Sequence, residues 1–222
     1  MTGPVVTRCA DAEAVAARAA EVMAAAIDGA RTIRGAAHVA LSGGSIARAY
    51  ELVGPKLPDW RDVHLWYADE RCVPLDDEES NHHLASTRLK APDASWHPVP
   101  TQLGCDEAAA AYATELAEVE LDVALNGMGP DGHTASLFPS YPEVEQDGVC
   151  LAVHGSPKPP YDRVTLTLGK LNAAGRIVLL VTGAEKAPML ARVLRGPDPA
   201  LPASLLARDA LEVVADAAAL DG

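Results

Sequence analysis

Apolar residues along this chain recur at two spacings. Between Ala10 and Ile33, Val15, Ala19, Val22, Ala26 and Ile27 repeat every three to four positions, the stripe of an amphipathic helix, and Gly35 ends it. Contiguous apolar runs at His38–Leu41, Val63–Ala68, Leu121–Leu125, Val149–Val153, Ile177–Thr182 and Leu211–Val214 have the length of buried strands. Val164–Leu168 alternates, as a half-buried strand or one capping a sheet edge would. Helical spacing returns at Ile46–Val53, His82–Leu89 and Asp106–Glu120, another helix opens at Gly183–Lys186, and an Ala-rich tail closes the chain. Pro92–Gly104 reads as irregular. Strands alternating with helices predict an α/β fold, a doubly wound, mostly parallel sheet flanked by helices. With no repeat, linker or low-complexity segment, residues 1–222 read as one domain.

Several strands empty straight into polar turns: Ser42-Gly43-Gly44-Ser45, Asp69-Glu70-Arg71, Gly129-Pro130-Asp131-Gly132-His133 and Gly183-Ala184-Glu185-Lys186. In a parallel sheet these exits share the carboxyl edge, where α/β proteins build their sites. The richest turn holds Gly127, Gly129, Pro130 and Gly132, which no regular element tolerates, and adds Asp131 and His133, an acid/base pair suited to neutral pH. Ser42–Ser45 offers backbone amides to an anion, although it lacks the endings of a Walker loop or a dinucleotide fingerprint. Lys186 in a helix's first turn runs against the dipole and is easier to explain facing a bound anion. A Pro-rich segment can hold Lys158 and Arg163 at a set spacing. Adjacent His82 and His83 diverge on a helix and read as surface or partner contacts. Singly, each feature is also an ordinary turn or a solvated charge; their shared edge favours chemistry. No metal ligand set and no nucleophile elbow is present, so water-based acid/base work on a phosphorylated small molecule, without metal or cofactor, is expected.

A formal charge of −13 argues against a nucleic-acid partner, and an anionic substrate must be captured by local cations and amides. Cys9, Cys72, Cys105 and Cys150 form no C-x-x-C and read as free thiols in a reducing compartment. With no basic-then-apolar leader and no run of membrane-spanning length, the expectation is a cytoplasmic protein with no membrane partner, a monomer or weak homo-oligomer.

The ordered set Leu41–Ser45, Ala68–Pro74, Ser80-Asn81, Gly127–Pro139, Lys158–Arg163, Val181–Lys186 and Leu201–Leu206 resembles the 6-phosphogluconolactonase family, with Gly127–Pro139 its most specific block. The resemblance implies a modified Rossmann-like sheet, shared with glucosamine-6-phosphate deaminase and ribose-5-phosphate isomerase. It implies hydrolysis of 6-phosphoglucono-δ-lactone in the oxidative pentose phosphate route. In that reading His133 is the general base, Asp131 orients it or holds the water, and Arg71 stabilises the oxyanion. Ser42, Gly43, Gly44, Ser45 and Lys186 cradle the phosphate with Arg163 and Lys158 nearby, and Asp69 contacts sugar hydroxyls or fixes Arg71. Three positions depart from the family pattern: Ile46-Ala47 replaces Thr-Pro, Asn126 stands for an apolar residue at the mouth of the site, and Val213 for a tryptophan. An amino-sugar-phosphate isomerase/deaminase of the same fold group is disfavoured by Thr134–Pro139 after the Gly-His. A sugar-phosphate sensor would need a DNA-binding segment for which length and charge leave no room.

Overall fold

The Ala-rich stripe folds as helix α1 (Ala12–Arg34), in a computed structural model that describes residues 3–222. The Asp11 carboxylate accepts from the Ala14 N–H at 2.8 Å and starts the helix. Gly35, at φ 81°, ends it by donating to the Arg31 carbonyl. Its buried face (Val15, Ala19, Val22, Met23, Ile27) lies across the main sheet.

That sheet contains β1 (Val5–Cys9), β2 (Ala37–Leu41), β3 (Val63–Tyr67), β5 (Ser95–Trp96), β6 (Val123–Gly127), β9 (Ile177–Val181) and β10 (Leu211–Asp216). The spatial order is β1-β10-β9-β6-β2-β3-β5, and every neighbouring pair is parallel. Helices α2 (Ala47–Val53), α3 (Asn81–Arg88), α4 (Cys105–Leu116), α5 (Leu168–Asn172), α6 (Ala187–Arg195) and α7 (Ala217–Asp221) make the crossovers and flanks. The chain builds outward from β2 through β3 to β5, then returns to place β6 on the other side of β2. The topological switch point therefore lies between β2 and β6, where such sheets open a crevice beyond their carboxyl ends.

The expected doubly wound sheet is present, and several features depart from the sequence reading, β5 within the Pro92–Gly104 stretch read as irregular among them. Asp69-Glu70-Arg71, expected as a polar turn after a strand, is itself strand β4 (Asp69–Arg71), paired antiparallel with β8 (Arg163–Leu166), which also pairs with β7 (Cys150–Val153) in a second sheet. All of β8 is buried, not half-buried, because it is the middle strand and α4 packs over it. Cys72 and Cys105 are not free thiols: their Cα atoms are 5.7 Å apart and they form a disulfide, while Cys9 and Cys150 remain free. Burial pushes the Cys150 thiol up to about 12, which leaves it inert. Among the described residues no helix is long and apolar enough to cross a membrane.

Candidate active site

A cavity of about 330 Å³ opens at the switch point, lined by Ser42, Gly43, Gly44, Asp69, Arg71, Gly127–Pro130, His133, Ala135, Lys158, Arg163 and Lys186. The four polar exits thus converge as the parallel topology required.

From β2 the chain turns through Ser42–Gly44 into a short 3-10 turn, Gly44–Ile46. The buried Tyr50 hydroxyl accepts from the Ser42 N–H at 3.0 Å and donates to the Ser42 carbonyl at 2.6 Å, so the turn is pinned from below. Ser42, a residue of the cavity wall, has its Oγ buried with no hydrogen-bond partner. Ser45 belongs to the 3-10 turn, and its side chain lies outside the described residues. Ile46, where the family pattern has a hydroxyl, is buried in the core.

From β6 the Gly127–Pro139 block folds back on itself. Gly129 N–H donates to the His133 carbonyl at 3.0 Å, Gly132 N–H to the Gly129 carbonyl at 3.0 Å, and the Thr134 hydroxyl to the Gly127 carbonyl at 3.0 Å. A Cβ on Gly129 would lie 2.1 Å from the His133 ring, so glycine is required for the imidazole to fold across the turn. His133 Nδ1 meets Asp131 Oδ1 at 2.5 Å, and the same oxygen accepts from the His133 N–H at 3.2 Å. Burial works to raise the Asp131 carboxyl, yet the hydrogen bonds and charge of His133 outweigh it and hold it below the usual range. An ionised Asp131 accepts only, so Nδ1 donates to it, which in a neutral imidazole places the lone pair on Nε2. Phe138, 4.8 Å away between ring centroids, backs the imidazole.

Arg71 lines the cavity with Nη1 donating to the Glu79 carbonyl at 2.5 Å, while its Nε is buried without a partner. Asp69 does not fix Arg71. Its carboxylate, on a residue 6% exposed, accepts from the Ser136 hydroxyl at 2.7 Å and from Asn81 Nδ2 at 3.2 Å. Arg163 is more a pillar than a free cation. It is 7% exposed, its Nε donates to Ser156 Oγ and the Pro160 carbonyl at 3.1 Å, Nη2 to the Lys158 carbonyl at 3.2 Å, and its guanidinium lies over Phe138. Burial lowers its pKa while Asp69 opposes the shift. Lys158 is exposed at the rim. Lys186 is half-buried; burial is the main cause that lowers its ammonium pKa, and nearby Lys158 adds to it. A bound dianion would oppose that shift by its charge.

Two expectations fail here. Asn126 is not at the mouth but 0% exposed within β6, with neither amide atom partnered. His82 is no surface residue: it is half-buried, its Nδ1 lies 2.7 Å from the Tyr67 hydroxyl, and burial lowers its pKa. Ser136 and Asn81, which hold Asp69, were only spelled out within motifs; their neighbours in space are too distant in sequence for spacing to reveal them. Among the described residues no cluster of His, Cys, Asp or Glu is arranged to hold a metal ion.

The profile of the family described as "Glucosamine-6-phosphate isomerases/6-phosphogluconolactonase" matches residues 10–215. The 6-phosphogluconolactonase of Mycobacterium tuberculosis is 37% identical over 210 residues, covering 85% of this chain and 85% of that protein. The rabbit (Oryctolagus cuniculus) GDH/6PGL endoplasmic bifunctional protein is 37% identical over 205 residues, 83% of this chain but only 26% of that much longer protein. Among solved structures, a 6-phosphogluconolactonase from Shewanella baltica superposes with a TM-score of 0.88 at 28% identity, covering 96% of this chain and 98% of that one. A profile that spans both the glycine turn of β2 and the Asp131/His133 block, with relatives that match most of the chain, places this protein in the glucosamine-6-phosphate isomerase/6-phosphogluconolactonase family.

Proposed function

We propose that the chain hydrolyses 6-phospho-D-glucono-1,5-lactone to 6-phospho-D-gluconate, the reaction of the oxidative pentose phosphate pathway for which its relatives are named, with His133 as general base. The observation that carries the mechanism is the Asp131–His133 pair at 2.5 Å, with Nε2 left basic, in a cavity that also holds Arg71 and Lys186. His133 Nε2 takes a proton from water as its oxygen attacks the lactone carbonyl. Arg71 meets the oxyanion, since a guanidinium keeps its charge at any working pH and aims two donors at oxygen. As the tetrahedral centre collapses, the bond from C1 to the ring oxygen breaks, and the imidazolium returns its proton to that oxygen. Asp131 stabilises the imidazolium between these steps.

The phosphate is held by the Gly43–Gly44 turn, Ser42 Oγ and Ser45, with Lys186 and the rim ammonium of Lys158 supplying charge. Asp69 accepts from sugar hydroxyls, and Arg163 shapes the wall between Phe138 and Asp69. No cofactor enters the scheme. The reading takes the protein as cytoplasmic and as a monomer or weak homo-oligomer, with a small sugar phosphate as its only partner.

The test is lactone decay in freshly generated 6-phosphogluconolactone, wild type beside His133→Ala, against the spontaneous background. Acceleration by wild type that vanishes in the variant supports both activity and base. A folded wild type that leaves the decay rate unchanged rejects the activity.

A further inference from the structure

β4 sets Asp69, Glu70 and Arg71 side by side, and the mechanism above uses only the outer two. Glu70 is 0% exposed. Its Oε1 accepts from the Arg71 N–H and the Asn81 N–H, both at 2.7 Å; its Oε2 accepts from the His82 N–H at 2.7 Å and the Ser80 hydroxyl at 3.1 Å. Burial raises its carboxyl above the usual range, with the hydrogen bonds from Asn81, Arg71 and His82 opposing. Backbone donors cannot turn round, and they sit on both oxygens, so an amide here would point its NH2 at one or more N–H groups. Only an acceptor-only side chain completes the arrangement, which fastens the first turn of α3 to β4.

Asn81 carries the connection onward. Its Nδ2 donates to the Asp69 carbonyl at 2.8 Å and to the Asp69 carboxylate at 3.2 Å. Its Oδ1 is buried without a partner and abuts the glycine turn of β2: a Cβ on Gly43 would lie 2.0 Å from it. Through these contacts, the strand that bears Arg71 and the turn that bears Gly43 are held against a common brace.

We propose that Glu70 and Asn81 are a positioning pair that fixes the distance between Arg71, at the lactone carbonyl, and the Gly43–Gly44 turn, at the phosphate. The proposal rests on the lactonase reading above. A ring substrate anchored by phosphate at one end and attacked at the other needs both anchors in register, and a shift of about 1 Å in such an arrangement can cost roughly 10²-fold in rate. Neither side chain needs to touch the substrate: Glu70 acts through Arg71, and Asn81 through Gly43.

The experiment measures kcat, KM and melting temperature of wild type, Glu70→Gln, Glu70→Asp and Asn81→Ala on freshly generated 6-phosphogluconolactone, well below each melting point. Glu70→Gln is expected to lose about tenfold or more, chiefly in kcat, and Glu70→Asp, which keeps an acceptor-only group, to recover part of it. Asn81→Ala is expected to raise KM about fivefold or more with a smaller change in kcat, because the phosphate turn loses its brace. A lowered melting temperature with wild-type kcat and KM in the folded variants is what a merely structural role would give, and it overturns the proposal. Should Glu70→Gln not fold, Glu70→Asp and Asn81→Ala decide by the same criterion. Inactivity of folded wild type overturns the lactonase reading, and this proposal with it; active wild type with unaltered variants overturns this proposal alone.

Discussion

The two edges of the seven-stranded sheet use histidine in opposite ways. Toward the amino edge, His38 on β2 and His64 on β3 are register partners whose rings stack 4.6 Å apart. His64 Nδ1 meets His97 Nε2 at 3.0 Å, Trp66 Nε1 donates to His38 Nδ1 at 3.0 Å, and His97 reaches Glu115 at 2.7 Å. Burial first, and neighbouring imidazoles second, push His38 down to about 4; His64 is lowered for the same reasons. His38 and His64 are neutral packing groups. At the carboxyl edge His133 has an ionised carboxylate on Nδ1, a cavity before it and no second imidazole stacked on it. In the proposed mechanism the same side chain is thus a filler at one edge and a base at the other, according to what occupies its two nitrogens.

The strongest break in that comparison is kinetic. His133→Ala should lower kcat by about 10²–10⁴-fold, while His38→Asn leaves kcat at neutral pH within experimental error. Comparable losses from both would erase the distinction. Next comes the covalent tie that only the carboxyl edge possesses, between Cys72, directly after Arg71, and Cys105 at the start of α4. Cys72→Ser should cost about 2–4 kcal/mol in urea unfolding without reductant, and dithiothreitol should remove the difference from wild type. Equal stability without reductant would show that the bond does not form. Lys186→Ala should weaken capture of the phosphorylated lactone by about 1.5–3 kcal/mol, read as a rise in KM with kcat little altered. An unchanged KM removes Lys186 from the phosphate cradle. The smallest effect belongs to the amino edge. Folded His38 resists the proton that the unfolded chain accepts near its ordinary value of 6.5, so its contribution to stability is lost as pH falls from 6.5 toward about 4. His38→Asn should flatten that part of the melting-temperature profile, and an identical slope counts against the assignment.

The contrast also explains what could be read from the chain unaided. The Gly127–Pro139 block was legible because it is local: glycines, Asp131 and His133 lie within one turn, and a neighbouring apolar run says which edge that turn occupies. Convergence of the distant exits followed from parallel topology, itself read from the alternation of strands and helices. Asp69–Arg71 was legible as a polar exit at the site edge but not as a strand, because nothing in three charged residues reveals a partner; its pairing of Asp69 with Thr165 is tertiary. The burial of all of β8 and the Cys72–Cys105 bond are likewise set by neighbours that no periodicity encodes. β1 escaped notice for a related reason. Val5 and Val6 are exposed on an edge strand, so no inward stripe marks it.

The position of β1 has a consequence for synthesis. Its sheet partner is β10 alone, along the full register from Val5 opposite Glu212 to Cys9 opposite Asp216. On the ribosome, therefore, β1 emerges long before the strand that it pairs with. Until residues 211–216 slot between β9 and β1, the nascent chain carries an unpaired, valine-bearing segment that can template a wrong partner. A pause in translation between the two strands lengthens the time for which that segment stands unpaired.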